Sequence, residues 1–274
     1  MATINTNPGA MLALQNLNKT NSELQTVQQR INTGLEISSA KDNGGVYAIA
    51  QSMRADVGGY KAVNQSLDLA QSTVDVGLAA GEAISDLMVE MKEKALAASD
   101  SSLDSASRSA LNEDFEALRD QIGTIVENAE FNGKNLISNG ASAIEALANP
   151  DGSNSITIAA EDLSLTGSTL TISSGTSIDS VTDASNAASA IETSLDNLNS
   201  ALARLGTGSK ALEVHKTFVG KLSDALETGI GNLVDADLAK ESARLQSLQV
   251  KQQLGTQALS IANSAPSSIL GYFR

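Results

Sequence analysis

The sequence contains no cysteine, no tryptophan and only one histidine among its 274 residues. Without cysteine the chain forms neither a disulfide framework nor a thiolate metal site, and one histidine cannot make a two-histidine zinc site or a cysteine–histidine catalytic pair. That histidine, His215, lies in ALEVHKTFV beside regularly spaced apolar residues, which predicts a structural or surface role. We therefore predict that the protein is not an enzyme and holds no cofactor or metal.

Large apolar residues are also scarce, since aromatic residues make up 3% of a chain that is 41% hydrophobic. Small and medium apolar residues favour long helical seams over a compact core filled by bulky side chains. Helical seams of this kind are typical of coiled coils and helical bundles.

Basic residues are fewer than acidic ones: the chain has 18 Lys and Arg and 32 Asp and Glu, which gives a net charge of −14. Such a balance repels nucleic acid and anionic membranes. No run approaches the roughly 18 uninterrupted apolar residues of a membrane span, and the first residues have no basic start followed by an apolar run. We predict no nucleic-acid or membrane partner and, if the chain is exported, no cleaved signal peptide of the usual kind.

Apolar residues recur at alternating steps of three and four along 46–98 and again along 183–231. This spacing, sustained over about seven heptads, predicts two long coiled-coil helices. A shorter helix is predicted behind SDSSLDS, whose Ser and Asp residues are natural N-caps. Two thinner helices are predicted at the ends, one beginning at Asn7-Pro8 and one stopping before Pro266.

The middle of the chain, 131–179, differs from the rest by its turn signals and by two runs rich in Thr, Ile and Ser, SITIA (155–159) and STLTIS (168–173). These runs predict strands of a small β-hairpin region. The fold is therefore predicted to be mainly α, a long antiparallel helical hairpin or coiled-coil bundle with a small β-hairpin region at the chain middle. The chain ends would lie side by side, with the β region at the far tip.

The stretch QSLQVKQQLGTQALSIAN, 246–263, has Lys251 as its only charged residue and an apolar arc about half its circumference wide. One partner helix cannot cover such an arc. Segments 1–33 and 234–274 each carry a net +1, so 34–233 carries −16. Nearly neutral ends suit a crowded interface between copies, and we predict that the terminal helices self-assemble into an open polymer. The residues predicted to form the contacts are Leu17, Leu24, Val27, Ile31, Leu245, Leu248, Val250, Leu254, Leu259 and Ile261.

Four stretches carry a family resemblance: INTN (4–7), QRINTGLEISSAKDNGG (29–45), FNGKNL (131–136) and the closing run from NLVDADLAKES to the C-terminus. They resemble bacterial flagellin, in a short alphaproteobacterial type without large outer domains. The resemblance implies a secreted subunit of the helical flagellar filament, which drives swimming. It also implies passage through the flagellar type III export apparatus with an export chaperone, and contact with junction and cap proteins.

The resemblance further implies a division of the chain into layers of the filament. Segments 1–33 and 234–274 would form the inner tube, 34–45 a connecting spoke, 46–130 with 180–233 a helical shell, and 131–179 its β-hairpin and outer loop region. Flagellins often carry O-linked glycans on outer hydroxyls. The candidates here are Thr166, Ser168, Thr169, Ser173, Ser174, Thr176 and Ser177.

Two alternatives remain open from the sequence. A hook–filament junction protein shares terminal helices of this kind, and a secreted coiled-coil adhesin would carry its function in the β region. The resemblance at both chain ends favours the filament subunit.

Overall fold

The computed structural model describes the backbone of residues 6–270 and the side chains as far as residue 264. Five helices account for most of this range, and two short antiparallel hairpins lie between the third and fourth, which confirms the predicted fold class. The helices are α1 (Pro8–Thr33), α2 (Gly44–Ala98), α3 (Ser105–Asn128), α4 (Val181–Val234) and α5 (Leu238–Leu270). The strands are β1 (Glu130–Phe131) paired with β2 (Lys134–Asn135), and β3 (Ile144–Leu147) paired with β4 (Ser155–Ile158).

The described residues form two compact units. The terminal unit contains the residues up to Ala55 and those from Ala225 onward, so it holds α1, α5 and one end of each of the two longest helices. The central unit runs from Asp56 to Asp224 and holds the rest of those helices together with α3 and the strands.

The helix starts follow the capping residues of the sequence. Asn7 caps α1, where its Oδ1 accepts a hydrogen bond from the Ala10 N–H at 3.1 Å, and Pro8 occupies the first turn. Asp104 caps α3 in the same way through the Ser107 N–H at 2.7 Å. Gly34, with φ +72°, ends α1 in the left-handed conformation that glycine adopts without strain.

The end of α5 differs from the prediction, because the helix continues through Pro266 to Leu270 instead of stopping before the proline. Proline has no N–H, so the carbonyl of Ala262, four residues earlier, loses its intrahelical donor. The Nδ2 of Asn7 donates a hydrogen bond to that carbonyl at 2.7 Å. A side chain from the start of α1 thus replaces the bond that the proline removes.

In the central unit α2 and α4 lie antiparallel, and the predicted seam forms the core. From Val63 to Ala98 every seam position of α2 is buried. The register is marked by a hydrogen bond of 2.6 Å from Gln71 Nε2 to Ser209 Oγ and by ion pairs that join Lys216 to Asp68 and Lys92 to Glu192. The core extends to α3 through Phe115 and Ile122, which are fully buried.

The run STLTIS (168–173) is not a strand, and here the sequence prediction is wrong. β4 pairs with β3 instead, and the backbone N–H of Thr171 donates to Ser194 Oγ of α4 at 2.9 Å. Leu170 and Ile172 are fully buried against the core. The run therefore does alternate apolar and polar residues. The backbone N–H of Thr171, however, donates to a hydroxyl of α4 and not to a neighbouring strand.

The middle region also does not lie at a far tip, because it runs back along the long helices. Ile158 lies against Gly208 of α4. The loop after β3 reaches Gly59 through Pro150 and α4 through a 2.8 Å hydrogen bond between His215 Nε2 and the Ala148 carbonyl. His215 thus has the structural contact that its position predicted.

Neighbouring glycines of α2 offer a test of this packing. A Cβ on Gly59 would lie 2.4 Å from Pro150 Cβ and 3.1 Å from its Cα, whereas a Cβ on Gly58 meets no atom within 4 Å. We expect Gly58→Ala to raise the free energy of unfolding by up to about 1 kcal/mol through helix propensity. The free energy of unfolding of Gly59→Ala is expected to be about 2 kcal/mol lower than that of Gly58→Ala because of overpacking. Chemical denaturation of both variants measures the difference, and equal stabilities would show that the loop does not pack here.

Candidate assembly surface

In the terminal unit α1 and α5 pack against each other and bury little between them. Val27 and Leu248 are 1% and 2% exposed and form the centre of the contact. Five other residues predicted for self-assembly are half-buried beside them: Leu17, Leu24, Ile31, Leu245 and Leu259. Seven of the ten predicted positions are therefore at least partly covered within the chain itself.

A glycine and an amide pair bring the two helices together farther along α5. A Cβ on Gly255 would lie 3.3 Å from Leu17 Cδ1, so the absence of a side chain allows a close approach. The Nε2 of Gln252 donates to Asn21 Oδ1 at 2.7 Å. Uncharged polar residues thus pair across the helices without placing a charge between them.

The other three predicted positions are exposed, with Val250, Leu254 and Ile261 at 54%, 61% and 64%. Their spacing of four and seven residues places them on one side of α5. Helix α1 also exposes large apolar side chains near its start. We call the set of these six side chains the uncovered apolar face: Met11, Leu12, Leu14, Val250, Leu254 and Ile261.

A buried carboxylate lies in the same unit. Glu241 is 5% exposed, and its Oε1 accepts a hydrogen bond from Arg30 Nη1 at 3.2 Å, while Glu36 lies 3.7 Å from the same nitrogen. A buried carboxylate without a cationic partner is strongly destabilising, so Arg30 keeps α1 attached to the start of α5. The sequence alone did not point to this pair, because its two residues are 211 positions apart in the chain.

Between α1 and α2 the chain forms a short non-helical connection that is tied to the turn before α5. The N–H of Glu36 donates to the Val234 carbonyl at 2.7 Å, and the N–H of Ala236 donates to the Gly34 carbonyl at 2.9 Å. Farther along, Asp42 Oδ2 accepts hydrogen bonds from the backbone N–H and the hydroxyl of both Ser38 and Ser39. These bonds, led by the Ser39 N–H, lower the pKa of Asp42 below its ordinary value of 3.8.

The hydroxyls considered for glycosylation differ in accessibility. Thr166, Ser168 and Ser174 are exposed, whereas Thr169 is only 6% exposed. The remaining three, Ser173, Thr176 and Ser177, are half-buried. This segment is held by α3, since Arg119 Nη1 donates to the Thr176 carbonyl at 2.9 Å. Thr166, Ser168 and Ser174 are therefore the most accessible of these seven residues.

Within the described residues no three side chains of His, Asp or Glu come together as a metal site would require. No helix in that same part of the chain is long and apolar enough to cross a membrane.

Comparison with known proteins gives the class of the fold. The crystal structure of Bacillus cereus flagellin matches with a TM-score of 0.50 and 21% identity, over 56% of this chain and 88% of that one. The fold is therefore that of a flagellin-like helical protein.

Family and relatives then give the identity. The model of the bacterial flagellin N-terminal helical region matches residues 4–142, and that of the C-terminal helical region matches 188–273. Flagellin FljK of Caulobacter vibrioides is 56% identical over 99% of this chain and 98% of its own. The flagellin of Brucella melitensis is 36% identical over the whole of both chains. The chain belongs to the bacterial flagellin family, as a short flagellin of the alphaproteobacterial type and a structural subunit of the extracellular flagellar filament.

The buried ion pair generates a prediction for the terminal unit. Replacing Arg30 with Ala leaves the Glu241 carboxylate buried without its partner, so we expect the free energy of opening the α1–α5 contact to fall by about 3 kcal/mol. Hydrogen exchange of α5 amides in the monomer measures this. Arg244→Ala is the matched control, because Arg244 is exposed on the same helix. Equal protection in both variants would contradict a stabilising role for the pair.

A second prediction concerns pH. A carboxylate whose pKa is lowered on folding adds stability above its ordinary value, and that stability is lost as the pH falls through the lower, folded-state pKa. The amide chemical shifts of Ser38 and Ser39 should therefore titrate with a midpoint below 3.8. In Asp42→Asn the same shifts should not titrate over this range. A midpoint at or above 3.8 in the unaltered chain would show that the four hydrogen bonds do not hold the carboxylate.

Proposed function

We propose that this flagellin polymerises through the uncovered apolar face of its terminal unit, which packs against the terminal helices of other copies. The observation that carries the proposal is that α1 and α5 cover each other on one side only. Val250, Leu254 and Ile261 on one side of α5, together with Met11, Leu12 and Leu14 near the start of α1, are between 48% and 68% exposed in the monomer. Exposed apolar groups gathered on one surface mark an interaction site, and burying them supplies the driving force for association.

The charge distribution supports this choice of surface. The first 33 residues and the last 41 carry a net charge of only +1 each, while 34–233 carries −16. When many copies meet around one axis, like charges repeat at short distances and their repulsion accumulates. Nearly neutral terminal helices avoid that repulsion, and acidic residues outside the contact stay screened by salt.

Family membership supports the remaining partners. We propose that the chain is exported unfolded through the flagellar type III apparatus, escorted by an export chaperone. In the filament it would meet junction and cap proteins at the two ends. We assign O-linked glycans to Thr166, Ser168 and Ser174, because these three are the exposed residues among the candidates.

We also propose that the chain has no catalytic activity of its own. His215 is the sole histidine, and its Nε2 is engaged with the Ala148 carbonyl. Its ring also packs near Phe218, with 5.9 Å between the ring centroids. This environment supports a role in holding the β3–β4 hairpin against α4.

Two leucines of α5 distinguish assembly from monomer stability. Leu254 is 61% exposed and Leu248 is 2% exposed. We expect Leu254→Asp to slow elongation of sheared filament seeds by more than about 100-fold, because an unpaired carboxylate would be buried at the contact between copies. Its monomer helicity should stay close to that of the unaltered chain. Leu248→Asp should instead reduce helicity in the monomer as well, since that side chain faces α1.

Electron microscopy of seed length and circular dichroism of the monomer give the two readouts. If Leu254→Asp elongates normally, the uncovered apolar face is not the polymer contact. A monomer melted by Leu254→Asp would show that the side chain has a partner within the chain.

A further inference from the structure

A second exposed row lies on α4, away from the buried seam of the central unit. Lys210, Val214, Thr217 and Lys221 follow each other at steps of four, three and four, and we call them the basic stripe. Val214 is 60% exposed, and Phe218 beside it is 56% exposed. Neither lysine has an ion-pair partner within residues 6–264.

The basic stripe stands between two grooves. Ile156 of β4 and three small residues of α4, Ala203, Thr207 and Ala211, line one of them together with Lys210 and Val214 of the stripe. The other is lined by Lys210, Glu213, Thr217 and Lys221 around the same Val214 and Phe218. Val214 and Phe218 thus form an apolar ridge with a lysine at each end, and Glu213 is the one acidic residue that lines the two grooves.

Helix α2 carries a row of the opposite sign. Glu82, Asp86, Val89 and Glu93, which we call the acidic stripe, are exposed at steps of four, three and four. Val89 is 57% exposed. None of the three carboxylates is in an ion pair in the described structure, whereas Lys92 and Lys94, on the adjoining surface, are paired with Glu192 and Asp114. The acidic stripe therefore has no direct ion pair of its own within the described residues, although Glu93 also contributes to the field at Lys94.

The two stripes complement each other position by position when the helices run antiparallel. Lys210 then meets Glu93, Val214 meets Val89 and Lys221 meets Glu82, while Thr217 lies opposite Asp86. Both helices place these residues at the same steps, so one register aligns the two charge pairs and the apolar pair at once. We propose that the basic stripe of one subunit docks on the acidic stripe of a second copy of this chain, an inference that rests on the proposed polymerisation.

A single chain cannot make this contact with itself. Within the central unit, Lys216 pairs with Asp68 and Lys92 with Glu192, which sets the register of α2 against α4. In that register Lys210 lies level with about residue 74 of its own α2, some 20 residues from Glu93, which corresponds to about 30 Å along the helix. The contact therefore joins copies that are displaced along their length. Such a contact uses two different surfaces and continues into an open polymer.

Exposed ion pairs are individually weak and are screened by salt, so the stripes supply register and selectivity more than affinity. The uncovered apolar face of the terminal unit lacks charge and would be nearly indifferent to salt. A fall of the elongation rate with rising ionic strength is therefore assigned to the stripes, because screening of the repulsion between acidic subunits acts in the opposite direction.

Charge reversal with rescue tests the docking in the full-length chain. Lys210→Glu with Lys221→Glu makes both stripes acidic, and Glu82→Lys with Glu93→Lys makes both basic. We expect each double variant to elongate seeds of its own kind about tenfold more slowly than the unaltered chain at low salt. The difference in elongation rate from the unaltered chain should become smaller at high salt. The quadruple variant restores opposite charges in the same register, so its rate should return to within about threefold of the original.

Two further double variants control for net charge. Lys61→Glu with Lys134→Glu and Glu113→Lys with Glu127→Lys change exposed residues outside the stripes by the same total charge. These controls should elongate at close to the normal rate, and circular dichroism should show all variants folded. Three results would overturn the proposal. The stripe double variants could elongate at the normal rate, or the quadruple variant could be slowed by the combined effect of the two double variants. The net-charge controls could also be slowed as much as the stripe variants. If instead the proposal of polymerisation through the terminal helices is wrong, the Leu254→Asp variant elongates normally, which distinguishes the two failures.

Discussion

The contact between α1 and α5 determines what both chain ends can do. It is narrow, since Val27 and Leu248 are the apolar side chains buried at its centre, and a buried carboxylate, Glu241, is held in it by Arg30. A narrow contact aligns two helices without covering them. The same packing that orders the ends therefore leaves their other sides apolar and open, which is the condition for addition of further copies.

The terminal and central units expose surfaces of different chemistry. The uncovered apolar face gains its energy from burial and carries no charge, so its strength is nearly independent of salt. The stripes of the central unit place charges at fixed intervals around Val89 and Val214, and opposite charges discriminate between registers. Affinity from one surface and register from the other would allow a subunit to add firmly and in a single position.

Polar side chains of the helices determine the path of the middle segment. Ser194 of α4 accepts a backbone N–H from Thr171, Asn112 of α3 accepts one from Ile178 at 2.7 Å, and Arg204 of α4 grips Glu161 through two bonds of 2.6 Å. The first two bonds satisfy backbone N–H groups that would otherwise require a partner strand, and the third ties the Glu161 side chain to α4. The segment consequently supplies part of the core, with Leu163, Leu170, Ile172 and Ile178 fully buried.

Local patterns predicted the elements well, while contacts distant in sequence escaped prediction. The seam of α2, the caps Asn7 and Asp104 and the strand β4 were readable because each depends on residues within a few positions. The partner of β4, the path of STLTIS and the passage of α5 through Pro266 were not, because each depends on a group far away along the chain. Asn7, for example, donates to the carbonyl freed by Pro266 from 255 residues away.

The sequence by itself determined the helical class, the charge difference between ends and middle, and the family, since these follow from periodicity, composition and continuous motifs. Only the tertiary structure decided how the ten predicted assembly positions divide. Seven are buried or half-buried within the chain itself, and Val250, Leu254 and Ile261 stay exposed. A helical wheel shows that the apolar arc of α5 is too wide for one partner. Which side that partner takes depends on how α1 is oriented by Arg30, Gly255 and Asn7, and that is a matter of three-dimensional packing.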